Sequence, residues 1–334
     1  MRNKTRFGGL IAIAALTLTA GCAAVTETEA DSNAGASEPA AVVAEGGEVC
    51  YITAAESHPY VTPANEAIDE AAAAAGLTVI RLSQEFDVQT GTDQLNTCVG
   101  RGSDAIILWP LDPQAYIPGL IAAQDAGIPT IIINSPMDAE ALELVASFTG
   151  PDTYQQGQLA ADAMNDELGG EGNVVIIAGQ AGNGTTIGRT DGFTDRLAEL
   201  GSNIEVLQVV NADFDQQKSL VASRDLITRF GSDINGVYAN DDTMARGFID
   251  AWKEAGLNTA DLPPIVGING QADAFESIKA GEMLSTIVQS PFEDGKLALE
   301  TVARLIKGET VEKRIPIKLT VVNSSNVETE QPAF

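Results

Sequence analysis

The chain has 334 residues, of which 44% are hydrophobic, so it can form two domains of ordinary size with a core in each. Its formal net charge of −28 and its pI of about 4.1 would repel phosphate backbones, which argues against nucleic acid as a partner. We interpret the acidity as the solvated surface of an exported protein.

Residues 1–22 are organised as an export signal. Three basic residues within the first six precede an apolar run over 10–20, and Gly21-Cys22 follows. The run is too short to span a bilayer as a permanent helix. The phrase LTAGC is similar to the lipobox of bacterial lipoproteins, in which the cysteine is lipidated, although Thr19 stands where leucine is commoner. The resemblance implies a lipid on Cys22, and an ordinary secretory signal is the alternative.

Residues 23–47 are rich in Ala, Glu, Ser and Gly and have no sustained apolar period, so we expect a disordered tether. If Cys22 carries lipid, Cys50 and Cys98 are the remaining thiols, an even pair in an oxidising compartment. This count favours a disulfide between them. Two buried free cysteines are the alternative.

From Val49 onward, short apolar runs alternate with helical segments that end in glycine. In the first half, the apolar runs are CYITA, LTVIRL, AIILWP and IPTIIIN, and the helical segments between them are PANEAIDEAAAAAG, TDQLNTCVGRG and IPGLIAAQDAG. The apolar runs are continuous rather than alternating, which is typical of parallel strands covered by helices on both faces. The pattern predicts a doubly wound α/β domain that extends to about Thr149.

The same scheme starts again after a helix predicted over 155–168. The first two strands of this half are NVVIIAG and IEVLQVV, and its last strand is MLSTIVQ. Its helices include GRTDGFTDRLAELG, QKSLVASRDLITRFG and DAFESIKAG. A last helix, SPFEDGKLALETVARLIKGE, precedes a tail, KRIPIKLTVVN, that can supply final strands. The architecture predicted from the sequence is therefore two similar α/β halves.

The unit over 236–270, a strand, a helix and a second strand, indicates where a ligand binds. Asn240, Asp241 and Asp242 follow its first strand, and Asn269-Gly270 follows its second. Open α/β sheets bind ligands at the carboxyl ends of their strands, so these side chains indicate a pocket. Two amides at two strand ends favour a neutral, hydroxylated ligand.

Counting residues and motifs excludes most of the common enzyme constellations. His58 is the only histidine, so a histidine-rich metal site cannot be built and a Ser-His-Asp triad would have to use it. The run GQAGNGTTIG over 179–188 resembles a phosphate cradle but has neither G-K-[ST] nor the third glycine of a dinucleotide fingerprint. We interpret it as a loop that leads into a helix, and we predict no catalysis, no cofactor and no metal.

Seven phrases occur in the order and spacing of one known family, namely SDAIILWPLDPQA, AGIPTIIIN, GRTDGF, ADFD, YANDDTMARG, VGINGQADAFESIKAGEM and TIVQSPFEDG. Over roughly 48–322 the chain resembles the periplasmic sugar-binding proteins of ABC importers, the group of ribose-, galactose- and arabinose-binding proteins. The resemblance implies the type I fold of that group, in which two Rossmann-like lobes with parallel sheets are joined by a three-strand hinge. It implies an N-terminal lobe of 48–149 plus 290–320 and a C-terminal lobe of 150–289 plus 321–334.

The resemblance also implies which side chains bind the ligand. Arg189 matches the arginine that the family directs into the cleft, and Phe214 matches its aromatic wall. The other positions that match ligand-binding positions of the family are His58, Tyr60, Asn134, Asn240, Asn269 and Gln289. A plain structural role, such as a helix cap, a strand-end polar group or core packing, is the alternative for each. Trp109 ends a strand near the cleft and can stack on a ligand, with buried packing as the alternative.

Three positions near the cleft depart from the ribose-binding branch. Asn134 and Asn269 stand where ribose-binding proteins have aspartates, and Ser135 stands where they have an arginine. The arabinose-binding branch has an asparagine in the phrase that matches Asn269. The loss of a charge-assisted acceptor together with an arginine argues against ribose itself.

From these features we predict a lipid-anchored, extracytoplasmic solute-binding protein that captures a neutral monosaccharide or polyol and delivers it to an ABC permease. We expect a monomer that contacts the membrane through its lipid anchor alone. A sensory lipoprotein that presents its sugar to a receptor is the alternative. Transcriptional regulators share the ligand fold but begin with a helix-turn-helix, whereas this chain begins with an export signal.

Overall fold

The computed structural model describes residues 46–334. The predicted export signal, Cys22 and the predicted tether up to residue 45 lie outside the described residues. The described residues belong to one compact unit. Among them, no helix is both long and apolar enough to cross a membrane.

The described chain alternates strands and helices from end to end. The strands are β1 (Glu48–Thr53), β2 (Thr78–Ser83), β3 (Ala105–Leu108), β4 (Thr130–Ile133), β5 (Ser147–Gly150), β6 (Glu171–Ala178), β7 (Asn203–Asn211), β8 (Gly236–Ala239), β9 (Ile265–Asn269), β10 (Ser285–Val288), β11 (Arg314–Pro316) and β12 (Thr320–Asn323). The helices are α1 (Val61–Ala75), α2 (Val88–Arg101), α3 (Ile117–Asp125), α4 (Ala139–Glu143), α5 (Thr153–Leu168), α6 (Gly184–Leu200), α7 (Gln216–Phe230), α8 (Asp242–Glu254), α9 (Ala272–Lys279) and α10 (Pro291–Ile306).

The strands form two six-stranded sheets, which confirms the predicted pair of doubly wound α/β halves. The first sheet has the order β11-β5-β4-β3-β1-β2 and the second has the order β12-β10-β9-β8-β6-β7. Strand pairs in both sheets are parallel, except that β12 runs antiparallel to β10. The crossovers therefore place helices on both faces of each sheet.

We call the first sheet with its helices the first lobe and the second sheet with its helices the second lobe. The chain passes between the two sheets three times: after β5, after β10 and between β11 and β12. Helix α5 packs on α6 and on the second sheet, whereas α10 packs on α1 and on the first sheet. The residue boundaries of the lobes given above remain a prediction.

Local sequence signals explain where most elements begin and end. Helix α1 ends at Gly76, whose φ of 69° is left-handed and favours glycine. Helices α2 and α6 begin a few residues earlier than expected, because the side chains of Asp87 and Asn183 cap their first turns.

Two short elements, β5 and α4, were not predicted. β5 has only one large apolar side chain, Phe148, so its four residues give no apolar run.

The core of each lobe lies on both faces of its sheet. In β1, Val49 and Tyr51 pack into one buried cluster of the first lobe, whereas Cys50 and Ile52 pack into the cluster on the opposite face. All four side chains are fully buried. A strand with both faces covered needs apolar residues at every position, which is why the predicted strands appear as continuous apolar runs.

Cys50 and Cys98 form a disulfide in the structure, with a Cα–Cα distance of 5.8 Å. Cys50 lies in β1 and Cys98 lies in the last turns of α2, so the bond joins this helix to the strand beside the β2 edge of the first sheet. Both residues are buried among apolar side chains. The bond closes a loop of 48 residues in sequence separation, which lowers the entropy of the unfolded chain.

The disulfide gives a first testable prediction. Replacing both Cys50 and Cys98 by alanine should lower the free energy of unfolding by about 4 kcal/mol, the chain-entropy value for a loop of this length. Urea denaturation measures the change, and the unreplaced protein in excess reductant is the control that should match the variant. Peptide mapping after alkylation of the denatured, unreduced protein should find neither cysteine modified. Equal midpoints with and without reductant would contradict the prediction.

Candidate ligand-binding site

A cavity lies between the two lobes, at the carboxyl ends of their parallel strands. The first lobe lines it with residues that follow β1, β2, β3 and β4, and the second lobe lines it with residues at or after the ends of β6 to β10. The lining residues are Ala54, His58, Tyr60, Val61, Phe86, Trp109, Leu111, Asn134, Asn183, Thr185, Arg189, Phe214, Asp241, Asn269 and Gln289. All of the predicted ligand-binding residues except Asn240 are in this set.

Unusual backbone geometry is concentrated at this cavity. Within residues 46–334, the non-glycine residues with positive φ are Glu85, Phe86, Asn134, Asp213, Phe214 and Asn269, and four of them line the cavity. Left-handed φ is rare for a bulky side chain such as Phe214, whose φ is 56°. Such conformations cost free energy and cluster at active sites and ligand clamps. The strain therefore supports a functional role for these loops, independently of any sequence motif.

A continuous network of hydrogen bonds holds the polar side chains of the second lobe. Arg189 Nε donates to Gln156 Oε1 at 2.8 Å, and Arg189 Nη1 donates to the Asn240 carbonyl at 2.6 Å. Gln156 Nε2 donates to Gln289 Oε1 at 2.9 Å, and Gln289 Nε2 donates to Asn269 Oδ1 at 2.7 Å. Arg189, Gln289 and Asn269 are thereby fixed relative to one another before a ligand contacts them.

Gln156 was not expected from the sequence, although it connects two of the predicted ligand-binding residues. It lies inside α5, is fully buried, and does not line the cavity. Nothing in its sequence neighbourhood distinguishes it from the other glutamines of that helix. Its role becomes visible only when the fold brings it within hydrogen-bond distance of Arg189 and Gln289.

The structure places Asp241, rather than Asn240, at the cavity wall. Asn240 turns toward the end of β6 and toward α6, where its Oδ1 accepts hydrogen bonds from the Gly179 N–H at 3.2 Å and from Thr190 Oγ1 at 3.4 Å. Asp241 caps α8 by accepting from the Met244 N–H through Oδ1, at 2.8 Å. Its Oδ2 is buried and has no hydrogen-bond partner among the described residues. Asp241 thus offers an unused acceptor in the cavity, and burial raises the pKa of its carboxyl to about 6.

In the first lobe, Tyr60 and Asn134 share one partner that does not line the cavity. The Tyr60 hydroxyl and the Asn134 side-chain amide both donate to Asp294 Oδ2, at 3.3 Å and 2.8 Å. Asp294 belongs to the first turn of α10 and is completely buried. The first-lobe wall is therefore held by a residue that lies just beyond a crossover between the lobes.

Aromatic side chains form most of the apolar part of the wall. Tyr60 packs edge-to-face on Trp109 with ring centroids 5.9 Å apart, and His58 packs edge-to-face on Phe86 at 5.5 Å. The Phe214 ring lies directly over Gly179, where a Cβ atom would come within 2.0 Å of it. Aromatic faces of this kind pack against the C–H surface of a sugar or polyol.

His58 is in its neutral form at physiological pH. Its Nδ1 accepts a hydrogen bond from the Tyr60 backbone N–H at 3.3 Å, which leaves Nε2 as the protonated nitrogen. Nε2 is buried and has no partner within residues 46–334. Desolvation lowers the pKa of the imidazole to about 4, so His58 offers a neutral donor at the cavity.

The two lobes also contact each other directly beside the cavity. Asn183 Nδ2 donates to the Leu111 carbonyl at 3.1 Å, and Thr185 Oγ1 donates to Ser135 Oγ at 3.0 Å. Gln180 Nε2 donates to the Phe86 carbonyl at 3.2 Å. The glycine-rich run over 179–188 is a loop that leads into α6, as its sequence predicts. In the structure this segment supplies the second-lobe side of the contact.

The part of the chain that the structure describes contains no group of three or more His, Cys, Asp or Glu side chains that could hold a metal ion. The polar groups that face the cavity are amides, one guanidinium, one carboxylate, one neutral imidazole and hydroxyls. Such a set can donate to and accept from hydroxyl groups. Two lobes with mostly parallel sheets, and a cavity between them lined by polar and aromatic side chains, define a protein that binds a small molecule by enclosing it.

The chain belongs to the periplasmic binding protein family, because the model of the periplasmic binding protein domain matches residues 49–310. The chain is 30% identical over 277 residues to the xylitol-binding protein of Mycolicibacterium smegmatis, covering 83% of this chain and 77% of that protein. It is 29% identical over 266 residues to the ribose import binding protein RbsB of Bacillus subtilis, covering 79% and 83%.

Solved structures give the same result for the fold. An ABC transporter solute-binding protein from Bacillus halodurans with bound myo-inositol has a TM-score of 0.77 and 28% identity, covering 85% of this chain and 97% of that one. One from Agrobacterium vitis with bound D-fucose has a TM-score of 0.79 and 27% identity, with the same coverage. The predicted type I fold is thereby confirmed. Family membership also makes the protein a solute-binding protein outside the cytoplasm, not an enzyme.

The position of Asp241 gives a second testable prediction. Asp241→Ser retains a side-chain cap for α8 but removes Oδ2, so it should weaken solute binding by about 1–3 kcal/mol, roughly 5- to 150-fold, with a small effect on stability. Asp152→Ser is the matched control, since Asp152 caps α5 through the Gln155 N–H at 3.0 Å and does not line the cavity. Calorimetric titration with any solute bound by the unmodified protein measures both. A loss in Asn240→Ala but not in Asp241→Ser would restore the assignment made from the sequence.

Proposed function

We propose that the protein is an extracytoplasmic, lipid-anchored solute-binding protein that captures a neutral monosaccharide or polyol between its lobes and delivers it to an ABC import permease. The observation that carries the proposal is the cavity itself. Its polar lining combines amides with balanced donors and acceptors, and its apolar lining is mostly aromatic. The relatives described above, which include xylitol- and ribose-binding proteins and a structure with bound myo-inositol, support the same class of solute.

The charges around the cavity favour a neutral solute. Arg189 is the one cationic side chain among the described lining residues, because His58 is neutral. Asp241 supplies a carboxylate in the same lining, so the guanidinium charge is balanced without an anionic ligand. The formal net charge of −28 would also slow the approach of a sugar acid or sugar phosphate.

Closure of the lobes supplies the mechanism of capture. A solute that contacts both lobes favours the conformation in which Asn183 and Thr185 reach the first lobe. The permease distinguishes this conformation from one with separated lobes, so it receives loaded protein preferentially. No covalent chemistry is involved at any step.

The proposal predicts a specific pattern of thermal stabilisation. Xylitol, ribose, D-fucose and myo-inositol form a neutral panel, and gluconate and ribose 5-phosphate form an anionic one. At least one neutral compound should raise the melting temperature, since a ligand at about 100 times its Kd adds about 2.7 kcal/mol. The shift should disappear in Arg189→Ala, provided that circular dichroism shows this variant to be folded. Stabilisation by the anionic compounds alone would contradict the proposed solute class.

The anchor part of the proposal rests on the phrase LTAGC. Lipidation of Cys22 would provide the membrane attachment, because a processed lipid cysteine holds a protein at the membrane without a spanning helix. Cys22→Ala should therefore move the protein from the membrane fraction to the soluble fraction of the producing cell. Ser32→Ala, a change within the tether, is the control that should leave it in the membrane fraction. Retention of the Cys22→Ala protein on membranes would show that the N-terminal segment has another role.

A further inference from the structure

Asp294 is a buried carboxylate that holds two groups of the binding site from outside it. Its side chain is 0% exposed, and it is absent from the cavity lining. Its Oδ2 accepts from the Asn134 side-chain amide and from the Tyr60 hydroxyl, both of which belong to lining residues. No sequence motif points to Asp294, and the function proposed above does not use it.

The contact with Asp294 determines which end of the Asn134 amide faces the cavity. A side-chain amide can rotate to present either its donor or its acceptor, and Asp294 Oδ2 accepts from it whether the carboxyl is ionised or carries a proton on Oδ1. Because Asn134 Nδ2 donates to Asp294, Oδ1 is left on the cavity side. Asn134 therefore acts as an acceptor there, as an aspartate at the same position would, but without bringing a charge into the cavity.

Burial of the Asp294 carboxyl costs free energy, because part of it is desolvated without a hydrogen-bond partner. Its Oδ1 has no hydrogen-bond partner among the described residues, and burial raises the pKa of the carboxyl to about 7. An apolar side chain of similar size would avoid the desolvation penalty. Gly150, with φ of 141°, leaves room for the pair: a Cβ there would lie 2.8 Å from the Asn134 backbone and 3.4 Å from Asp294 Oδ1.

We propose that Asp294 is a positioning residue that determines solute specificity, by holding the Asn134 amide with its carbonyl oxygen toward the solute. This inference rests on the proposed function. The wall at Asn134 then accepts a hydrogen bond from a solute hydroxyl. A solute that offers only an acceptor at that point, such as an ether, a ring oxygen or a carbonyl, is rejected because two acceptors would face each other.

A comparison of similar-sized replacements tests the proposal. Asp294→Leu removes the acceptor, whereas Asp294→Asn keeps one oxygen that can accept from both Asn134 and Tyr60. Affinity for the tightest-binding compound among xylitol, ribose, D-fucose and myo-inositol should fall at least about tenfold in the leucine variant and stay within about threefold in the asparagine variant. Glu293→Gln, an exposed neutralisation in the same helical turn, is the control that should bind as the unmodified protein does.

A double-mutant cycle separates positioning from general structural support. In an Asn134→Ala background, Asp294→Leu should change affinity by less than about twofold, since there is no amide left to orient. An equal loss in both backgrounds, or no loss in Asp294→Leu alone, would overturn the proposal. If the leucine variant does not fold, Asp294→Ala is the second variant without an acceptor.

A ligand-free measurement keeps this inference distinct from the proposed function. With ¹⁵N-labelled asparagine, the side-chain amide signal of Asn134, assigned by its loss in Asn134→Ala, should move in Asp294→Leu and return toward its original position in Asp294→Asn. If no panel compound binds but this signal behaves as described, the proposed solute class fails and the positioning contact stands. If the signal does not move in Asp294→Leu, the inference fails whatever the protein binds.

Discussion

The carboxyl ends of parallel strands meet at one edge of a sheet, and in this protein two such edges face each other. The loops that follow these strands bring together residues as distant in sequence as Tyr60 and Gln289. The same loops carry the strained backbone and the caps that start helices α2, α6, α7 and α8. The binding site is thus a direct product of strand direction, and the buried sheets behind it keep its geometry rigid.

Sequence reasoning succeeded where the signal is local and failed where it depends on contacts distant in sequence. Continuous apolar runs and the glycines that end helices are local signals. They predicted the strands of both sheets except β5, and they predicted the helices except the short α4. The choice between Asn240 and Asp241 depends on the register of the turn into α8, which apolar periodicity does not determine. Asp294 and Asn134 are 160 positions apart, so no motif could have joined them. The residue type of Phe214 also gives no indication that its φ is positive.

The polar networks divide cleanly between the lobes. Arg189, Gln156, Gln289 and Asn269 are bonded to one another within the second lobe. The contacts of Asp294 with Tyr60 and Asn134 remain within the first. Separation of the lobes would break the direct contacts of Asn183, Thr185 and Gln180 but would leave both networks intact. Each half of the site therefore keeps its geometry, and binding need not pay for ordering these side chains.

Gly184 lies at the contact between the lobes, and its lack of a side chain has a consequence for how the protein can change. A Cβ atom at this position would lie 2.1 Å from the Pro136 carbonyl oxygen, so the lobes could not approach as they do here. Any larger residue would reduce the fraction of molecules able to close and would weaken the apparent affinity for every solute by the same factor. Affinity can thus drift during evolution, or be graded by design in a sensor, while the preference among sugars stays unchanged.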